Sequence, residues 1–359
     1  MKILLNLLNG FSDMEIDTKE VEALVRLLDD PDNEVALNVE NRLLFLGNEV
    51  IGYLEDAWEK SFDALLQQKL ESVIHKIQYE SVKSDLRAWK EGGAENLLKG
   101  VLIVNRYQYP DLKEQKIENL LEEIRRDAWM QMTYEMTPAE KVKILNHIFY
   151  RVHKFSGNTA NYQDPQNSYL NLVLESKKGN QISLAIIYSM VAQRLGIPVF
   201  GVNLPQHFIL AYMSGATDPA AGQGAVEPSD YPAEIDETLN QQDGIRIEEL
   251  SITEPASDTE PVPGETDGPE DEVLFYINAF NKGFIFSRKE VDYFLKQLNL
   301  KQRKEFYLPC TSMDIVKRII RNLVGSYEKL GYELKVRELL ELADILEEGN
   351  QNNNEREEG

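Results

Sequence analysis

The chain is poor in the residues that build covalent or metal-based chemistry. It has one cysteine, Cys310, and four histidines in 359 residues. A single thiol excludes an internal disulfide framework and any cysteine-built zinc site. His147 and His153 stand six apart, so they do not share a helix face at i,i+4, and no metal site is expected. No glycine-rich phosphate loop is present, so no cofactor is expected. No apolar run approaches the roughly 20 residues that span a bilayer. Met1–Gly10 offers one lysine and a short apolar run broken by Asn6, without the apolar stretch or small-residue cleavage site of a signal peptide. The expectation is a cytoplasmic protein with no membrane partner. Lysine and arginine form no concentrated patch, which argues against nucleic acid.

What the chain does have is acid, unevenly placed. Its net charge is −23. Residues 214–272 hold 17 acidic side chains against Arg246 alone, and the tail 347–359 adds five glutamates and one arginine. The remainder is nearly neutral. The stretch 214–272 also carries seven of the 14 prolines. Such a segment buries too little apolar surface to offset its chain entropy, so a disordered acidic insert is expected there, and a disordered tail at 347–359. The other residues, 42% hydrophobic over the whole chain, can build a sizeable core.

Residues 17–130 read as helices. Asp17 and Thr18 precede an apolar stripe at Val21, Leu24, Val25, Leu27 and Leu28. An Asp-Pro turn at Asp29–Asn33 follows, then a second helix through Leu37, Val39, Leu43, Leu44 and Leu46, stopped by Gly47. Helix, acidic turn, helix has the form of a HEAT-type repeat, and equally of a plain helical hairpin. Further amphipathic segments lie near 54–80, 81–90, 94–107 and 114–130. Trp58, Trp89 and Trp129, with Tyr107 and Tyr109, are expected to pack cores. Thr137-Pro138-Ala139-Glu140 is a capping box with proline at the first helical position, opening a helix to about Phe155.

Gly179-Asn180-Gln181 then lead into Ile182–Ala192, apolar nearly all round, which predicts a buried helix. Gly196 and Pro198 end it. Strands are expected at Val199–Leu204, His207–Met213, Val273–Ile277 and Phe284–Phe286, the last two joined by a turn at Asn281-Lys282-Gly283. The acidic stretch is thus an insertion between two strands. Leu323, Tyr327, Gly331 and Ala343 fall at the spacings of one tetratricopeptide-type hairpin.

A buried helix opened by a polar residue, followed by a strand bearing histidine and another ending in Asn278, sets out the order of a papain-like site. Asn167-Ser168-Tyr169-Leu170-Asn171, Gly179–Leu184, Gly196-Ile197-Pro198 and Gly201–Phe208 resemble the bacterial transglutaminase-like core family 2, that of the Sir-B-type proteins with a tetratricopeptide-like tail. The resemblance covers about 100–345 without the insert. It implies an α+β fold, mostly helical, whose core packs a buried helix on a small antiparallel sheet. The organisation it suggests is HEAT-like helices at 1–95, a transglutaminase-like core at 96–300, a helical hairpin at 301–346 and the tail 347–359. The chain departs from the family at Gln181, where proline is usual, and at Asn278-Ala279-Phe280, where Asp-Pro-Phe is usual.

Ser183 stands where this reading looks for the catalytic cysteine. Serine is also among the commonest helix caps, worth about 1 kcal/mol. One expectation is a cysteine-less, non-catalytic module binding a protein or peptide near Ser183 and His207. The alternative is a hydrolase or acyltransferase with Ser183 as nucleophile, His207 as base and Asn278 as orienter. Asparagine behind a serine-type histidine can cost about 10⁴ in rate, the known serine-protease case. The alternative requires Ser183 Oγ within hydrogen-bond reach of His207. Cys310, outside the matched core, is expected to be a packing residue.

Overall fold

The computed structural model describes residues 17–214 and 273–348. The expected acidic insert, apart from Ser214, and nearly all of the expected tail lie outside the described residues. The chain forms two compact units, residues 1–88 with 106–110, and residues 89–105 with 111–359.

The first unit begins with α1 (Thr18–Leu27) and α2 (Asn33–Leu46). Asp17 and Asp32 cap them, each accepting from a main-chain N–H two residues on. A 3₁₀ turn at Gly47–Val50 leads to α3 (Ile51–Lys60) and then α4 (Ala64–Glu91). Val21, Leu43, Val50, Leu54, Leu70 and Ile77 fill the space between these helices. The break expected near residue 80 does not occur. Tyr79, Val82 and Leu86 continue one buried stripe, and nothing there interrupts the 28-residue helix. Trp58 is also not a core residue: its ring is partly exposed, with Nε1 donating to Glu71 Oε1 at 2.9 Å.

The second unit holds the α+β core. Around it stand α5 (Leu97–Arg106), α6 (Glu114–Trp129) and α7 (Pro138–Asn146). The Thr137–Glu140 capping box forms as expected. The helix it opens passes into a π-helical turn, His147–Val152, before reaching Phe155. Trp89 is buried as expected, whereas Trp129, at the end of α6, is 62% exposed. A helix end offers fewer neighbours than a mid-helix position, which is why spacing alone misplaced it.

Two short parallel strands, β1 (Ser156–Gly157) and β2 (Lys178–Gly179), bracket α8 (Leu170–Ser176). Then comes α9 (Gln181–Arg194), buried continuously from Ile182 to Ala192. A helix apolar on every face must be covered on every face. Here α6, α8, both small strands, the main sheet and the helix Ser312–Leu330 all pack on it. The main sheet is an antiparallel meander in the order β3 (Val199–Val202), β4 (Ile209–Met213), β5 (Val273–Asn278), β6 (Phe284–Phe286). Met213 pairs with Val273, so residues 214–272 leave and rejoin the chain at adjacent positions of one sheet. Beneath the sheet, α10 (Arg288–Gln297) contributes Val291, Phe294 and Leu295 to a core with Val202, Ile209 and Tyr276. The chain closes with an antiparallel hairpin, α11 (Ser312–Leu330) and α12 (Glu333–Glu347), turned by Gly331 in the left-handed region.

Candidate functional site

The start of α9 is held by a buried polar network. Asn180 is the cap. Its Oδ1 accepts from Ser183 N–H at 3.0 Å, and its own N–H donates to Ser183 Oγ at 3.0 Å. The serine hydroxyl donates back to the Asn180 carbonyl at 3.2 Å. Ser183 therefore sits at the third helical position, completing the box from inside the helix. The cap is one turn earlier than a serine cap would place it, because Asn180 still has extended backbone. Asn180 Nδ2 reaches Ser168 Oγ at 2.9 Å. Asn167 in turn ties down the preceding loop, with Nδ2 donating to the carbonyls of Asn161 and Tyr162 and Oδ1 accepting from Asn158. Gly179 has to be glycine. A Cβ there would lie 2.5 Å from Ser183 Oγ and 2.9 Å from Val173 Cγ1.

His207 does not begin the fourth-strand pairing; β4 starts at Ile209. Gln206, at φ +62°, turns the chain through the left-handed region, and the His207 N–H closes the turn on Leu204 O at 3.1 Å. The imidazole packs edge-on against Phe294, with ring centroids 4.8 Å apart. Its Nδ1 lies 3.0 Å from Gln181 Nε2. An amide nitrogen can only donate, so Nδ1 is the acceptor and the ring proton sits on Nε2. Burial, reinforced by the nearby Arg318 guanidinium, lowers the His207 pKa to about 4. The imidazole is neutral, its basic lone pair is occupied, and the group it can offer outward is a donor.

Asn278 ends β5, and its Oδ1 accepts from the N–H groups of Phe280 and Asn281, both at 3.1 Å. It thereby shapes the β5–β6 turn. From the other side, Asn146 Nδ2 holds the Gly283 carbonyl at 2.9 Å and Tyr150 Oη the Ala279 carbonyl at 2.6 Å. Among the described residues no hydrogen bond joins Ser183, His207 and Asn278 to one another. The side chain that meets the histidine is Gln181, the first residue of α9. The sequence had shown Gln181 only as a departure from proline. Four residues on this edge are partly exposed together: Gln181, Asn203, His207 and Arg318. Arg318, on α11, donates to Asn203 Oδ1 at 2.9 Å. Arg318 was not legible as a neighbour, since α11 follows His207 by more than a hundred positions. Among the described residues no group of three or more His, Cys, Asp or Glu is placed to hold a metal ion.

The sequence that builds this site, a buried helix opening against a histidine in the turn before β4, is matched in other proteins. Residues 114–248 match the transglutaminase-like superfamily. It is similar to a UPF0162 protein of Xylella fastidiosa, 38% identical over 117 residues that cover 32% of this chain and 41% of the relative. A UPF0162 protein of Vibrio cholerae is 25% identical over 118 residues, covering 33% of this chain and 44% of the relative. F-box only protein 21 of Mus musculus is 24% identical over 234 residues, covering 58% of this chain and 33% of that protein. The chain thus spans about 41% of the length of the Xylella relatives that it matches. No solved structure matches it.

Proposed function

We propose that this chain is a non-catalytic, transglutaminase-like module that binds a protein or peptide at the edge formed by Gln181, Asn203 and His207. The observation that carries the reading is the Gln181–His207 hydrogen bond. A carboxamide is not a nucleophile, and here it occupies the lone pair that a general base needs. The Ser183 hydroxyl, on the first turn of that helix, is buried and committed to Asn180. The rival, a serine hydrolase or acyltransferase of Ser183, His207 and Asn278, lacks the bond on which it depends. The reading extends to a Sir-B-type relative in the bacterial cytoplasm, with HEAT-like helices before the domain and a tetratricopeptide-like hairpin, α11–α12, after it. Both kinds of repeat present partner surfaces. Among the described residues no helix is long and apolar enough to cross a membrane.

Two measurements on the full chain test the proposal. A serine-directed covalent probe leaves Ser183 unlabelled. Binding to an array of short unbiased peptides is saturable and weakens in His207→Ala and in Gln181→Ala. Labelling that disappears in Ser183→Ala overturns the reading, as does an array on which no peptide binds.

A further inference from the structure

The Arg318 guanidinium is half-buried, and among the described residues no carboxylate pairs with it. Its one hydrogen bond goes to a neutral acceptor, Asn203 Oδ1. Two acids of its own hairpin are engaged elsewhere. Asp314, one turn earlier, accepts from the N–H and hydroxyl of Thr311, and Glu347 pairs with Arg321. Desolvation lowers the Arg318 pKa; Tyr162 and Cys310 partly offset this, and the nearby Arg321 guanidinium adds to it. Withdrawing a guanidinium from water without a counter-ion is costly, and such cost is sustained where an anion is recognised. With one amino group on Asn203, the rest of the planar fork remains to receive a carboxylate through two parallel bonds. Asn203 directly precedes the turn from Leu204 to His207, whose Nε2–H is the second donor on the same edge. Both residues are partly exposed, and among the described residues neither is paired with an acid.

We infer that Arg318, held by Asn203 and seconded by the His207 Nε2–H, is the specificity-determining contact of this edge, and that it takes a carboxylate of an acidic peptide ligand. The inference rests on the peptide-binding reading and sharpens it. Carboxylate is favoured over phosphate because the fork is a single guanidinium with neutral donors beside it, and the nearby Arg321 is already paired with Glu347.

The test follows the Arg318 and His207 side-chain N–H resonances of the full chain by NMR during titration. The probes are N-acetylglycine, for a terminal carboxylate, N-acetylglutamate α-methylamide, for a side-chain carboxylate, N-acetylglutamine methylamide, as the uncharged control, and inorganic phosphate. One or both carboxylates shift these resonances saturably, and which one does so identifies the source. The uncharged control does not. Arg318→Gln weakens carboxylate binding at least about tenfold, the scale of one charge-assisted contact. Arg318→Lys, which keeps the charge and loses the fork, falls between and guards against a folding artefact. Tighter binding of phosphate, or carboxylate binding unchanged in a folded Arg318→Gln, overturns the inference. Peptides that bind through His207 with no preference for acid overturn it alone and leave the peptide-binding reading standing. If no peptide binds at all, that reading fails with it.

Discussion

Gln181 Nε2 stands 3.0 Å from His207 Nδ1, so the first residue of the buried helix and the turn before the second sheet strand are joined by a single hydrogen bond. The donor is fixed by chemistry, and it fixes the tautomer of the ring. Direct NMR observation of His207 therefore shows a proton on Nε2 and a titration near pH 4. The unfolded chain takes up that proton near 6.5. Between those values the unfolded state binds more protons, so stability declines as pH falls from about 6.5 toward 4 and is insensitive to this group above that window. Gln181→Glu places a carboxylate where the amide was. It reverses the Nδ1 hydrogen bond and raises the histidine pKa by about 1–3 units. A wild-type titration near 6.5 would contradict the arrangement.

Ser183 and Asn180 predict a graded effect on stability. Ser183→Ala removes one half of the capping box and costs about 1 kcal/mol, read as a modest fall in the unfolding midpoint. Asn180→Ala costs more, about 2 kcal/mol or above, because it strands the Ser183 N–H and the Ser168 hydroxyl inside the protein. A larger loss from Ser183→Ala than from Asn180→Ala would show that the serine, and not the asparagine, organises the helix start.

Cys310 follows Pro309 just before α11, and its N–H donates to the Gly201 carbonyl at 2.8 Å. Burial, with help from Asp314, pushes its thiol up to about 12. The thiolate is the reacting species, so native protein at neutral pH is alkylated far more slowly than a free thiol, and denatured protein is alkylated at the free-thiol rate. Rapid native modification, followed by mass spectrometry, would refute this placement.

How much of this could be read from the chain depended on the range of the interaction. The buried α9, the Thr137 capping box and the β5–β6 hairpin are local patterns, and the structure forms each where its residues said. The polar run Asn167-Ser168 and the glycine at 179 stood out as motif residues, but their purpose, holding Asn180 and admitting the serine hydroxyl, is visible only in three dimensions. Local spacing alone suggested Ser183 as the cap. The extended backbone at Asn180 moves the cap three residues back. The long α4 shows the opposite error: two amphipathic segments meeting near residue 80 read as separate helices, whereas the buried stripe runs on through Tyr79, Val82 and Leu86. Gln181 and Arg318 were hidden for the plainest reason. Each meets its partner across elements far apart in sequence, and neither position carries a pattern that says so.

The β5–β6 turn offers a last check, since it depends on a chain of three groups. Tyr188 Oη donates to Asn146 Oδ1 at 2.9 Å, and Asn146 Nδ2 donates to the Gly283 carbonyl at 2.9 Å. Gly283 lies at φ +72°, and a Cβ there would meet the Asn146 carboxamide at 1.8 Å. Gly283→Ala thus meets both backbone strain and a steric overlap that only displacement of Asn146 relieves, and it should destabilise by about 1–3 kcal/mol. Tyr188→Phe keeps the ring among Phe149 and Tyr150 and removes only the hydroxyl. It leaves Asn146 Oδ1 without that donor in a buried setting and costs about 1–2 kcal/mol. Asn146→Ala opens room for the new methyl, so Gly283→Ala made in that background should cost less than in the wild-type chain. Additive losses in this cycle, measured by denaturant unfolding, would show that the turn does not rest on Asn146.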